Sequence, residues 1–376
     1  MIREEVSSTT QRTLTATARV LGALKLDGPL LVGLGLIALF GQIVLYSASG
    51  QDLPSIGRGV LRLILGSGAM IFLAQLKPAT LRRIAPWLYW FGILMLVIVG
   101  AIGYIGKGAQ RWLDLGLLRF QPSELMKLAV PMMCAAFLND RRLPPDRWTL
   151  LWVAGLLLVP TALVVIQPDL GTGLLILIGG ALVVLLAGLS ARIIASLLGL
   201  AVAGAWIGWH FLHDYQQKRV LTFIDPQQDP LGAGYHIIQS TIAIGSGGVF
   251  GKGWLHGSQS QLEFLPERST DFIFAVIGEE FGLVGVVILL LLYLFVVLRS
   301  LYLAMQTQGT FARLLSGSLA LTFFVYVFIN AGMVTGLMPV VGVPLPLVSY
   351  GGTSMVTLLA GFGILMSLYS HRKLIG

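Results

Sequence analysis

Apolar runs of roughly 20 residues, each long enough to cross about 30 Å of hydrocarbon, recur along this chain from residue 29 to residue 370. No water reaches a peptide group inside a bilayer, so an open chain crosses it as helices whose hydrogen bonds are internal. The pattern predicts an all-α polytopic membrane protein. Only 11% of the 376 residues are charged, where soluble domains carry about a quarter; this excludes a soluble enzyme and a disordered regulator. The runs follow so closely that one membrane domain over 26–376 is expected, behind a tail at 1–25. That tail carries Arg3, Arg12 and Arg19 among Ser and Thr without an apolar core, so it reads as cytosolic and not as a signal peptide.

Ten spans are predicted, near 29–48, 58–76, 86–105, 123–138, 149–166, 170–189, 193–213, 271–298, 314–335 and 352–370. An even number places both termini on one side. Under this reading that side holds about 15 Lys and Arg against about 8 opposite, so both ends are cytosolic. The formal charge of +8 then reads as positive-inside bias plus contact with anionic head groups, with no nucleic-acid role. Cys134 is the single cysteine, so neither an intramolecular disulfide nor a thiol metal cluster is possible.

The segment 214–270 is the long extracytoplasmic loop, far beyond an ordinary connection. Tyr235, Ile238 and Ile242 recur in it at helical spacing and predict short interfacial helices lying on the bundle. The helix that follows is too long for the bilayer if it runs from Asp271 to Ser300. It must tilt, bend near Gly278 or Gly282, or stand above the lipid, and Asp271, Glu279 and Glu280 fall in that first part. No internal repeat is evident, which weighs against an inverted-repeat transporter.

Ionisable groups inside membrane segments are costly and point to function. Four clusters qualify, all at outer span ends. In 111–127, Ser123 can cap a helix and Glu124 suits its first turn. Lys127 does not suit that position and needs a negative partner. Either Glu124 at i−3 pairs with it, or an anionic ligand does, with Arg111 and Arg119 gripping phosphate. In 167–172, Asp169 is an N-cap or a ligand contact. The loop adds Lys218, Arg219 and glycines at 245, 247, 248, 251 and 253, which bring amides close to an anion or sugar. Asp271, at the mouth of a span, is the carboxylate best placed for outer-face chemistry, with an N-cap as the alternative. Finally, the prolines of 339–348 break the chain before Ser349-Tyr350-Gly351-Gly352-Thr353-Ser354, which forms either an anion-receiving broken helix or a structural re-entrant turn.

The motifs QRWLDLGLLRFQPSELMK (110–127), QPDLGT (167–172), DPLGAGYHIIQSTIAIGSGG (229–248), FLPERSTDFIFAVIGEE (264–280) and GVPLPLVSYGGTS (342–354) resemble those of the SEDS family of bacterial shape, elongation, division and sporulation proteins. Within it the chain looks like the RodA-type, rod-elongation branch. The resemblance covers essentially everything after the tail. It implies a peptidoglycan glycosyltransferase that polymerises lipid II into glycan strands on the outer face of the cytoplasmic (inner) membrane during cell elongation. It implies Asp271 as the catalytic residue, and Arg111, Arg119, Glu124, Lys127, Asp169, Lys218 and Arg219 around the substrate cavity, with Ser349 beside them. The partners implied are lipid II and the nascent strand, a class B penicillin-binding protein that supplies the transpeptidase, and other membrane proteins of the elongation complex. Family members often carry His where Ser269 stands, so imidazole assistance to the neighbouring acid is not expected.

Inverting transfer from an α-linked diphosphate requires a base to take the acceptor's 4-hydroxyl proton and cations to stabilise the leaving diphosphate. Asp271 is assigned as the base, with Lys127, Arg119, Arg111 and Arg219 holding diphosphates. A divalent cation, Mg or Mn, suits such a site but is not demanded by the residues. The rival reading is a lipid II flippase. It would need polar groups along the whole path, whereas here they crowd toward one side.

Overall fold

The computed structural model describes residues 19, 21–106, 109–114, 119–210, 217, 221, 233–262, 264–265 and 267–371. Six of its long helices begin where the chain offers a cap or a proline. Asp27, Asp52, Asp146 and Asp169 each accept a hydrogen bond from a backbone N–H three residues on, and Pro29, Pro54, Pro78 and Pro122 occupy first turns. The helices are α1 (Gly28–Ala48), α2 (Leu53–Gln75), α3 (Pro78–Ile102), α4 (Pro122–Asn139), α5 (Arg147–Ile166), α6 (Leu170–Leu186), α7 (Ala191–Trp209), α8 (Ala233–Gly247), α9 (Ser258–Gln261), α10 (Ile273–Gln306), α11 (Thr310–Val334) and α12 (Gly352–Ser370).

A helix stands at each of the ten predicted positions. By length and composition, seven helices among the described residues can cross a membrane, and Leu170–Leu186 is a shorter apolar one. The protein is a helical membrane protein. Its outward surface explains itself only in lipid: α2 exposes Leu61, Ile64, Leu65 and Phe72, and α3 exposes Trp87, Trp90 and Phe91. The centre is built from α10, α11 and α12. Small residues bring backbones together there. Gly66 faces Leu359 and Gly363 faces the Met70 carbonyl, so α2 and α12 touch at two levels with no room for a side chain.

The all-α bundle is as expected, with one small addition among the described residues: between α3 and α4 lies a three-stranded antiparallel meander, β1 (Tyr104–Gly106), β2 (Ala109–Asp114) and β3 (Arg119–Phe120), in that order. Helix α3 stops at Ile102 with Gly103 as its C-cap, short of the predicted residue 105. Ser123 does not cap α4; Gln121 holds the N-cap position and Pro122 opens the helix. In the long loop, α8 packs through Ile237, Ser240, Ala243 and Gly247, while Ile242 is exposed. Close approach of small residues, not the Tyr235–Ile238–Ile242 row, decides which face docks.

The long helix breaks at Gly282, whose φ of 64° and ψ of −163° lie outside the helical region. A break at membrane depth strands peptide groups, which must find partners in protein. The loop after α8 supplies them. Lys252 N and Gly253 N donate to the carbonyls of Glu279 and Glu280 at 2.9 and 3.0 Å, and Leu283 N and Val284 N donate to Gly248 and Val249 at 3.0 Å each. Gly247 lies against the Gly278 carbonyl and Gly251 against that of Glu280. The buried Glu279 carboxylate completes the joint, accepting from Lys252 Nζ at 2.7 Å, Gln259 N at 2.9 Å and Ser260 N at 3.2 Å.

Gly282→Ala is expected to destabilise the protein strongly. The backbone conformation alone costs a non-glycine residue ~1–3 kcal/mol. An added Cβ would also lie 2.6 Å from the Val249 carbonyl oxygen. Thermal unfolding in detergent checks this, with Gly245→Ala, at a position that has open space, as the near-neutral control.

Candidate active site

The described ends of the helices gather into two faces. At one, Arg299 holds Asp27 at 2.7 Å, Lys25 meets His371 at 2.9 Å and Phe311 N donates to Asn139 at 3.1 Å. At the other lie the polar clusters singled out from sequence.

Asp271 is half-buried and precedes α10 by two residues. Phe272 takes the N-cap position without a side-chain cap bond, so Asp271 is not the cap of this helix. Its backbone is held by two elements. From α11, Asn330 Nδ2 donates to the Asp271 carbonyl at 2.9 Å and to the Val343 carbonyl at 2.8 Å. From the 339–351 strap, Ser349 Oγ donates to the Thr270 carbonyl at 2.5 Å and Tyr350 N donates to Ser269 O at 2.8 Å. Gly342, at φ 74°, lies along the carboxylate: a Cβ there would sit 3.5 Å from Asp271 Oδ2. His236 of α8 stacks on the neighbouring Phe272, with centroids 5.6 Å apart.

Lys127 and Glu124, one turn apart on α4, form a buried ion pair at 2.6 Å. Of the two partners weighed for Lys127, Glu124 and an anionic ligand, the first is in place here. Glu124 Oε2 has no hydrogen-bond partner among the described residues, nor have the buried hydroxyls of Thr322 and Ser354. Lys127 Nζ lies 5.3 Å from the ring centroid of Tyr326. A cavity opens here, lined by Lys127, Thr322, Tyr326, Thr357 and apolar side chains of α11 and α12, among them Phe323 and Phe362.

Asp169 is the N-cap of α6, accepting from Thr172 N at 3.2 Å, and it also accepts from Gln121 Nε2 at 3.0 Å. Arg111 on β2 donates through Nε to Gln167 O at 3.2 Å and to the Pro168 carbonyl, and lies 3.9 Å from the Asp169 carboxylate. The meander thus carries a cation to the corner between α5 and α6. Arg119 stands on β3 opposite Asp114; its side chain, and all of Lys218 and Arg219, lie outside the described residues. Ser349 is 2% exposed and already engaged, donating to Thr270 O and accepting from Leu345 N at 2.7 Å. These two bonds hold the strap against the turn before α10.

Sequence reasoning missed Gln121, Tyr326 and Asn330. The signal for the last two was available: Thr322, Tyr326 and Asn330 are polar groups at i, i+4 and i+8 in an apolar span. That spacing aligns them on one face. Because Tyr326 touches Lys127 and Asn330 binds the Asp271 backbone carbonyl, both sites are anchored on α11 at positions about 6 Å apart along its axis.

Fold and site together define a class: a polytopic membrane protein whose helical bundle holds a buried Lys127–Glu124 pair beside a small cavity and carries Asp271 at the mouth of α10. The chain belongs to the FtsW/RodA/SpoVE family, whose model, described as cell cycle protein, matches residues 28–374. Peptidoglycan glycosyltransferase MrdB of Escherichia coli (strain K12) is 53% identical over 351 residues, covering 93% of this chain and 95% of that protein. Stage V sporulation protein E of Bacillus subtilis is 34% identical over 351 residues, covering 90% and 95%. Among solved structures, a chain from work on the structural coordination of polymerization and crosslinking by a peptidoglycan synthase complex superposes with a TM-score of 0.81. It is 36% identical, with 92% of this chain and 99% of that one covered. The rod shape determining protein RodA of Thermus thermophilus gives 0.70 at 31% identity, with 92% and 98% covered.

Proposed function

We propose that this protein is a peptidoglycan glycosyltransferase that polymerises lipid II on the outer face of the bacterial cytoplasmic membrane during elongation. In this reading it crosses the membrane ten times, and the 1–25 tail and the C-terminus are cytosolic. The observation that supports it is on α11, where Asn330 binds the Asp271 backbone and Tyr326, one turn earlier, lies against the Lys127 ammonium.

For chain growth the hydroxyl end of one lipid-linked saccharide must meet the diphosphate-linked end of another. Asp271 takes the proton from the acceptor hydroxyl as that oxygen attacks the donor's anomeric carbon, and the bond to the diphosphate breaks in line, inverting the centre. Lys127, Arg111 and Arg119 meet the charge that grows on the leaving diphosphate, with Lys218 and Arg219 of the loop assigned the same duty. A bound diphosphate would compete with Glu124 for Lys127 and with Asp169 for Arg111. Mg2+ or Mn2+ fits beside such a ligand, because Mg2+ binds through one or two carboxylates plus phosphate oxygens. When bound it would neutralise phosphate charge. Among the described residues no group of three His, Cys, Asp or Glu forms a protein-built cage, so the substrate phosphates would have to supply most of its ligands. A class B penicillin-binding protein, with other membrane proteins of the elongation complex, is the proposed partner.

Purified protein with its transpeptidase partner, given lipid II in detergent, is expected to yield a ladder of glycan strands on gels. Transport needs two compartments and polymerisation does not. Absence of strands in detergent together with lipid II transfer across vesicles would replace this reading with a flippase.

A further inference from the structure

We infer that Asn330 is a positioning residue for Asp271, setting the carboxylate's direction by clamping two backbone carbonyls that flank it; this rests on the proposed role of Asp271 as base. Asn330 is 0% exposed, on a helix separate from both elements it binds. Its amide nitrogen bridges Asp271 O and Val343 O. Its carbonyl oxygen has no hydrogen-bond partner among the described residues. A buried amide that leaves its acceptor unmatched and spends both donor hydrogens on two strands is placed for those donors.

The geometry makes the clamp specific. Asp271 lies in the turn that leads into α10, and backbone rotation there would swing its carboxylate away from its place beside Gly342. On one side Ser349 and Tyr350 fasten Thr270 and Ser269 to the strap. Asn330 fastens Asp271 itself and, through Val343, the strap at the residue after Gly342, which lies along the carboxylate. Losing those two donors frees the carbonyl of the base and the backbone beside its oxygens together. Catalysis is sensitive to such shifts, since a misplacement of about 1 Å can cost on the order of 100-fold. Tyr326, one turn earlier on the same face, stays on Lys127, so the cation is left in place when the clamp is opened.

The test compares wild type, Asn330→Leu, Asn330→Asp and Asp271→Asn, each as full-length protein with its transpeptidase partner. The readouts are kcat, KM, the pH profile of kcat and the stoichiometry of lipid II binding. Asn330→Leu keeps the volume and removes the donors; Asn330→Asp keeps the shape and exchanges both donors for acceptors. Both are expected to lower kcat 10- to 100-fold, with KM within about threefold, unchanged binding stoichiometry and a displaced acid limb of the pH profile. A role in folding alone would reduce stoichiometry and scale the profile without moving that limb, and this result would overturn the inference. So would kcat within twofold of wild type. Should neither variant be recovered folded, Asn330→Ser, which keeps one donor, is read by the same criteria. An inactive Asp271→Asn beside normal Asn330 variants sinks this inference alone, whereas an active Asp271→Asn sinks the base assignment and the clamp with it.

Discussion

Asp271→Asn is expected to lower the rate of glycan polymerisation by roughly 10²- to 10⁴-fold, the usual worth of a general base. The substitution preserves shape and removes the charge that accepts the proton. It should leave the fold nearly intact, because Asp271 caps no helix; Phe272 holds that position in α10. The backbone bonds from Asn330 and the strap around residues 269–271 do not depend on the carboxylate. The kcat from fluorescent lipid II with the partner present is the measurement, and melting temperature controls for folding. A variant that stays within tenfold of wild type removes Asp271 from the chemistry.

The second large effect concerns the Lys127–Glu124 pair. Lys127→Met leaves Glu124 buried without its cation and should cost ~3–5 kcal/mol of stability, the usual result of halving a buried pair. Replacing both, as Lys127→Met with Glu124→Gln, should recover most of that loss, since a buried ion pair is often no more stabilising than apolar groups of its size. Polymerisation should not recover. Unfolding midpoints and turnover measured on both single variants and the double variant separate the two roles. If turnover returns along with stability, the pair is structural and Lys127 holds no diphosphate.

Much of the helical framework was legible because it rests on one-dimensional cues. Apolar runs set the positions, and Asp27 with Pro29 fixed the start of the helix over 28–48 to within a few residues. The harder parts depended on what the chain meets in space. The meander at 104–120 is too short to show a period, and its strands exist because they pair with one another. Gly278 and Gly282 looked equivalent as bend points. Only the docking of Gly248–Gly253 selects Gly282, by supplying partners for the peptide groups freed on either side of it. Asp169 kept its cap and gained Arg111 and Gln121. Asn330 passed unremarked as one polar residue in an apolar span, and its meaning appears only when two distant carbonyls arrive at its amide.

The stitched break at Gly282 also governs how the molecule can be made. The peptide groups around it belong half to α10 and half to the 248–253 turn, so neither part is complete alone. During biosynthesis the turn emerges first and must wait, and the later segment cannot settle at its final depth until the two have met. Substitutions at Gly247 or Gly251 would thus register as slow maturation and clearance by membrane proteases, lowering the amount of protein in the cell while the molecules that do assemble remain competent.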